Sequence, residues 1–340
     1  MKAQLLLILG VLYLTIGCVK QETKKIENDL TLEGLSGKVK SLKISRYTAK
    51  DKFGEIIKQE RIPIEDDNFG TYKIFNEKGS LIEINGYDSV GGYIGKATYK
   101  YDENDNYIES DIFNFDGSLS IKGTYKYDDR GNVTEQCTFG KSGDLIKKWT
   151  NKYNIKDSLI ERNYYESDGM LKSKSTLKYD DKGNTIEQCF RDTNGTTTEK
   201  AIQQFNKNNE LIERNVYDSN GKISSKILNK FDDRGNFIEQ SSFNSDGSLE
   251  YKNISVFNDK NQEIKRTACD SFGNSIATWD ITHDDKGVLI EVIYTNSDRS
   301  LTYKTSYKYE YDKQGNWIRK IEYNNDIPKN VTEREIEYYE

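Results

Sequence analysis

Pairs of an aromatic residue and Asp or Asn return along this chain every 26 residues. Tyr101-Asp102, Tyr127-Asp128, Tyr153-Asn154, Tyr179-Asp180, Phe205-Asn206, Phe231-Asp232, Phe257-Asn258 and His283-Asp284 keep the spacing without a slip, and Phe75-Asn76 extends it backwards by one. A period in this range means that one supersecondary unit has been copied, and each copy can bury its apolar side only against its neighbours. That constraint governs the architecture before any single residue is considered for chemistry.

The unit is legible in residues 107–132. Two segments, 107–115 and 119–128, are rich in Tyr, Ile and Thr and are bounded by Asp116-Gly117-Ser118 and by Asp129-Arg130-Gly131-Asn132, the pattern of strand, turn, strand, turn. The Gly131 position holds only Gly, Asp or Asn in every copy (Gly79, Asp105, Asp157, Gly183, Asn209, Gly235, Asn261, Gly287 and Gly315 among them). These residues tolerate positive φ best. The opposite turn carries Gly from Gly91 to Gly273 and departs only at Arg299. A two-residue loop at Arg130-Gly131 sets Lys126 opposite Glu135, and the same rule pairs Lys100 with Glu109, Lys152 with Glu161, Lys178 with Glu187 and Lys230 with Glu239. Near the end it pairs Glu310 with Arg319: the charges swap sides and remain complementary, as expected for side chains that meet across strands.

The register sorts the two faces. Leu119, Ile121, Tyr125 and Tyr127 share a side with Ile108 and Ile112, while the Lys and Glu pairs take the other, with aromatics such as Phe139 and Tyr165 near one edge. The fold class expected is all-β, a repeat array of about nine 26-residue antiparallel β-hairpins forming a long, coiled or spiral meander sheet with its apolar face curled inward. A longer period of 52 is also present: YDDRGN at 127, YDDKGN at 179 and FDDRGN at 231 alternate with YNIKDS at 153 and FNKNNE at 205.

The first residues read differently. Lys2, an apolar run over residues 5–14 and then Thr15-Ile16-Gly17-Cys18 form a segment too short to span a bilayer but suited to a signal peptidase. It resembles the lipobox of bacterial lipoproteins, which implies diacylglyceryl transfer to Cys18, cleavage before it and a membrane anchor; Val19 after the Cys implies the outer membrane. Residues 18–30 read as a tether, 31–74 as an N-terminal β cap, 75–326 as the repeats and 327–340 as a C-terminal strand or cap. A formal charge of -6 with Lys and Glu interspersed gives no basic stripe, so nucleic acid is not an expected partner.

Tyr-Asp-Asp-Arg-Gly-Asn and Asp-Gly-Ser-Leu resemble the YD repeat of the Rhs family. The longer pattern, preceded by residues 35–41, is similar to a group of bacterial lipoproteins with Lys-Tyr-Asp-Asp-Lys-Gly-Asn-x-Ile-Glu repeats. The likeness covers about residues 35–325. Rhs proteins coil such hairpins into a shell around a toxin, but no toxin domain or autoproteolytic tail is recognisable in this sequence.

Few residues offer chemistry. His283, the only histidine, fills a slot held elsewhere by Tyr or Phe, and the common His-containing catalytic and zinc constellations lack a second member. Cys137 and Cys189 share a slot 52 residues apart, which at two hairpins' separation puts them about 19 Å from each other, beyond disulfide reach; Cys269 falls in the slot of Phe139. The Asp pairs at 128–129, 180–181, 232–233 and 284–285 lack the dense ligand spacing of a calcium loop, and turn chemistry already accounts for them. Trp149 and Trp279 share one slot on the apolar face, where they pack or present a platform for a sugar or peptide. No metal, cofactor or catalytic residue is expected. The reading is a lipid-anchored scaffold that binds a protein or glycan, facing the periplasm or the cell exterior; the alternative is a hydrolase of envelope polymers working through paired carboxylates.

Overall fold

The computed structural model describes residues 28–62, 72–88 and 90–340. A single helical turn, α1 (Asp29–Leu32), is capped by the Asn28 side chain, which accepts from Thr31 N–H. Twenty-three strands follow, numbered in chain order from β1 (Val39–Lys52), β2 (Glu55–Ile62) and β3 (Tyr72–Phe75) to β21 (Thr302–Tyr311), β22 (Trp317–Asn324) and β23 (Ile327–Tyr338). From β3 onwards each strand pairs antiparallel with the next. The helical turn brings Leu30 against Leu35, Val39, Leu42 and Phe75 in one small apolar cluster near the meeting of the two chain ends.

The expected open, coiled or spiral sheet is not what forms: the sheet closes. The first half of β1 pairs on one side with β3 (Leu42 opposite Lys73) and on the other with β23 over nearly its whole length (Leu42 opposite Ile336). The second half of β1 turns back on β2. β1 and β3 to β23 are thus a ring of 22 strands, with β2 an added hairpin arm. Closure removes the two rows of unpaired N–H and C=O groups that an open sheet would leave at its edges. The seam is secured at one rim, where the Asn316 amide donates to Ser36 O (2.9 Å) and to the Tyr338 hydroxyl (2.7 Å), Tyr338 bonds Asp312, and the Tyr339 hydroxyl donates to Phe75 O (2.6 Å).

The turns keep the expected pairings through a different loop. Gly131 N–H donates to Asp128 O and Asp128 N–H to Asn132 O, so the loop has three residues rather than two, a type I turn followed by a residue at positive φ. A β-bulge then absorbs one residue between the pairs Tyr127–Val133 and Lys126–Glu135. The Lys and Glu partners therefore end up opposite each other as expected, as do Lys100–Glu109, Lys152–Glu161, Lys178–Glu187, Lys230–Glu239 and Glu310–Arg319. The positive-φ reading also holds where the residue is not Gly: Asp157 has φ 60° and Arg299 57°.

The path between turns is asymmetric, and this sets the barrel's tilt. Lys126 faces Glu135 and Glu135 faces Thr150, so residue 126 lies level with residue 150, whereas its copy in the next unit is Lys152. Every two strands thus step two residues along the strand direction, a shear equal to strand number. That ratio gives a tilt of about 36° in eight-stranded barrels. A circular ring of 22 such strands would be about 40 Å across at the backbone.

The closing strand carries a direct test. Deleting residues 327–340 leaves β1 and β22 as bare edges, so the shortened protein should aggregate or dimerise in size-exclusion chromatography and melt well below the full chain. An open sheet would lose only its last strand; a monomer of nearly unchanged melting temperature would contradict closure.

Candidate functional site

The two faces of the wall differ in chemistry. On one, successive glutamates are held by lysines from both neighbouring strands: Glu109 by Lys100 (2.5 Å) and Lys122 (2.5 Å), Glu161 by Lys152 (3.0 Å) and Lys174 (2.6 Å), Glu187 by Lys178 and Lys200 (2.9 Å each), whereas Glu213 has Lys226 on one side and Gln204 on the other. These lysines hold Glu109 and Glu161 down at about 2, so the ladder stays ionised and supplies no general acid near neutral pH. Sequence reading found one lysine of each triad. The other recurs in its own slot (Lys122, Lys148, Lys174, Lys200, Lys226, Lys252) and was open to the same spacing rule.

On the other face burial dominates. It pushes Tyr127 and Tyr309 up to about 12, and Tyr101 and Tyr107 higher still, and it pulls Lys320 and Arg334 down. Side chains on the concave side of a closed sheet converge and lose water, while those on the convex side splay into it; the aromatic face is therefore the lumenal one and the ion ladder the outer one. This is the reverse of a membrane-spanning barrel, which needs an apolar band outside.

The lumenal aromatics are grouped. β9 (Leu145–Tyr153) and β10 (Leu159–Glu166) set Trp149 directly opposite Tyr164, ring centroids 4.4 Å apart, with the Arg162 guanidinium 5.9 Å from the indole. β19 (Ser275–His283) and β20 (Leu289–Asn296) do the same five units later: Trp279 meets Tyr294 at 5.4 Å, and Tyr294 stacks on Tyr303 of β21 at 4.9 Å. β9 and β19 are ten places apart in a ring of 22, so the two tryptophans belong to facing walls. Both are half-buried, and the lumen around them is not a dry core: Ile160, Ile264 and Tyr303, which share their face, are 36%, 38% and 43% exposed.

The remaining candidates lie apart from these groups. Cys137, Cys189 and Cys269 are buried free thiols, and burial pushes Cys137 up, away from reactivity. His283 sits opposite Leu289 in the aromatic slot. The Asp128 carboxylate is used by its own turn, accepting from the N–H groups of Arg130 (3.0 Å) and Asn132 (2.9 Å) and from the Asn132 side chain (3.1 Å). Among the described residues no group of three or more His, Cys, Asp or Glu could hold a metal ion. Cys18 lies outside the described residues.

No family model and no curated protein matches this chain. Among solved structures, the TcdB2-TccC3-Cdc42 crystal structure is similar at 10% identity and a TM-score of 0.33 over 81% of this chain and 20% of that one. A porin-like protein from Bacteroides uniformis is similar at 12% identity and a TM-score of 0.30 over 89% of this chain and 99% of that one. This chain thus spans about a fifth of the first relative's length, and scores this low do not bear on function.

An open lumen has an optical signature. Acrylamide should quench Trp149 and Trp279 in the folded protein far more than it quenches a core tryptophan; emission that is blue-shifted and resistant to quenching would mean that the lumen is filled.

Proposed function

We propose that this chain is a hollow binding scaffold that receives a macromolecular ligand, a protein or a glycan, against its lumenal wall, and that a lipid on Cys18 holds it at the outer membrane, facing the periplasm or the exterior. The observation that carries the binding reading is the pair of aromatic platforms on facing walls. The slot that holds Trp149 and Trp279 is filled in the other copies by Ala97, Gly123, Ser175, Ala201, Ile227 and Asn253, so packing within the repeat does not require an indole there. Half-exposed indole and phenol rings offer large, rigid stacking surfaces at low entropic cost. The anchoring reading rests on the apolar run and the Gly17-Cys18 junction.

Two measurements test these readings. Affinity capture from envelope fractions with the chain from residue 19 onwards should recover a ligand that the Trp149→Ala/Trp279→Ala variant binds about ten-fold less well or not at all. An outer-face variant, Lys126→Ala/Glu135→Ala, should bind as the wild type does. Equal capture by the tryptophan variant would remove the lumenal reading. Separately, Cys18→Ala in the full chain should abolish metabolic palmitate labelling and release the protein from membranes; retention without lipid at Cys18 would overturn the anchor.

A further inference from the structure

Beside the seam the lumenal wall carries an excess of positive charge that its own carboxylates do not satisfy. Lys320 of β22 and Arg46 of β1 both face Thr332 of β23, so the two cations and Thr332 lie in one row across three strands, and Arg334 follows two residues further along β23 on the same face. Glu322 is already committed: it takes Arg46 at 3.3 Å and the Asn330 amide at 3.2 Å, with Lys329 at 3.7 Å. Lys320 rests over the Tyr307 ring at 5.2 Å, and among the described residues no carboxylate lies within salt-bridge distance of its ammonium. Arg334 is stacked on Trp317 at 3.8 Å and donates from Nη2 to Glu33 O at 3.4 Å, while its buried Nε and Nη1 have no acceptor among the described residues.

A buried guanidinium with two idle donors is costly unless something supplies the acceptors. From this row and these orphaned donors we infer that Arg334 and Lys320 form a lumenal site for an anionic group, a carboxylate or a phosphate, carried by the ligand. Burial lowers Lys320 against the pull of Glu322, with Arg46 and Arg334 adding to the effect, and lowers Arg334 against Glu33; an incoming anion relieves both. The inference rests on the lumen being the binding surface and gives the ligand its charge.

Trp317 is the third and last tryptophan of the chain, so the Trp149→Phe/Trp279→Phe background makes it the sole indole reporter beneath Arg334. Inorganic phosphate and sodium acetate, each titrated at constant ionic strength against sodium chloride, should produce a saturable change in Trp317 emission. Response to phosphate alone, acetate alone or both assigns the anion class. Lys320→Gln should weaken the response about ten-fold or more and Lys320→Arg should retain it, with melting curves confirming that both fold. No saturable response to either anion, or a response unchanged in Lys320→Gln, overturns the site. Because the reporter protein lacks both platform indoles and is titrated with small anions that need no aromatic surface, failure of the anion site is distinguishable from failure of the aromatic reading.

Discussion

A strand edge cannot be left open in a sheet of this length, and the remaining architecture follows from how that requirement is met. Each copied hairpin presents a row of unpaired backbone groups to the next, so the array passes the problem along until the two ends must solve it together. They do so because β1 is long enough to pair with β23 along one side and with β3 and then β2 along the other. Closure converts two chemically different faces into an inside and an outside. The Lys–Glu ladder, which pairs equally well in a flat sheet, becomes a hydrated exterior, and the aromatic face becomes the wall of an enclosed space.

The local pairing was readable because it depends on neighbours in sequence. The Gly, Asp and Asn residues of the turns declare positive φ, and the complementary charges fix which residues face each other; a three-residue loop followed by a bulge gives the same partners as a two-residue loop. Closure was not readable because it depends on quantities that no single repeat shows. The two-residue step has to accumulate over the whole ring, and the strands that meet, Val39–Lys52 and Ile327–Tyr338, lie outside the 26-residue pattern. The tryptophans were identified from their shared slot, but that they occupy facing walls follows only from ring order. Arg334 and Lys320 fall where the period has already broken, so no slot comparison could single them out.

The repeated aromatic shows how function at one scale hides beneath periodicity at another. Tyr101, Tyr127, Tyr153 and Tyr179 each donate the phenolic hydroxyl to a backbone carbonyl 20 residues earlier, at Leu81, Tyr107, Val133 and Leu159, the strand-entry position where each bulge disturbs the ladder. Where the slot holds Phe231, which has no hydroxyl, Asn229 donates to Leu211 O at 3.0 Å instead. The 52-residue period has a similar basis. Asn132 and Asn236 reach across the rim to the positive-φ residues Asp157 and Asn261 (2.9 and 3.0 Å), and Arg130 adds an ion pair to Asp157 at 2.7 Å. A Gly at those alternate positions would relax the backbone but lose the stitch, so strain of about 1 kcal/mol per residue is offset by one or two bonds of similar worth.

Variation among the copies separates what builds the wall from what the wall is for. The outer slots are nearly constant: Lys recurs at 122, 148, 174, 200, 226 and 252, and Glu at 109, 135, 161, 187, 213 and 239. A ladder of this kind works only if each rung resembles the next, since most of these glutamates take a lysine from each neighbouring strand. Lumenal slots away from the rim tyrosines have no such coupling. One of them runs from Gly123 through Trp149, Ser175, Ala201, Ile227 and Asn253 to Trp279, a range from no side chain to the largest. In a filled core that diversity would leave cavities beside overpacked rings at a cost of several kcal/mol. In a hydrated lumen it costs little, and it gives each sector of the wall its own surface. The ring thus combines an exterior fixed by its pairing with interior slots free to differ from strand to strand.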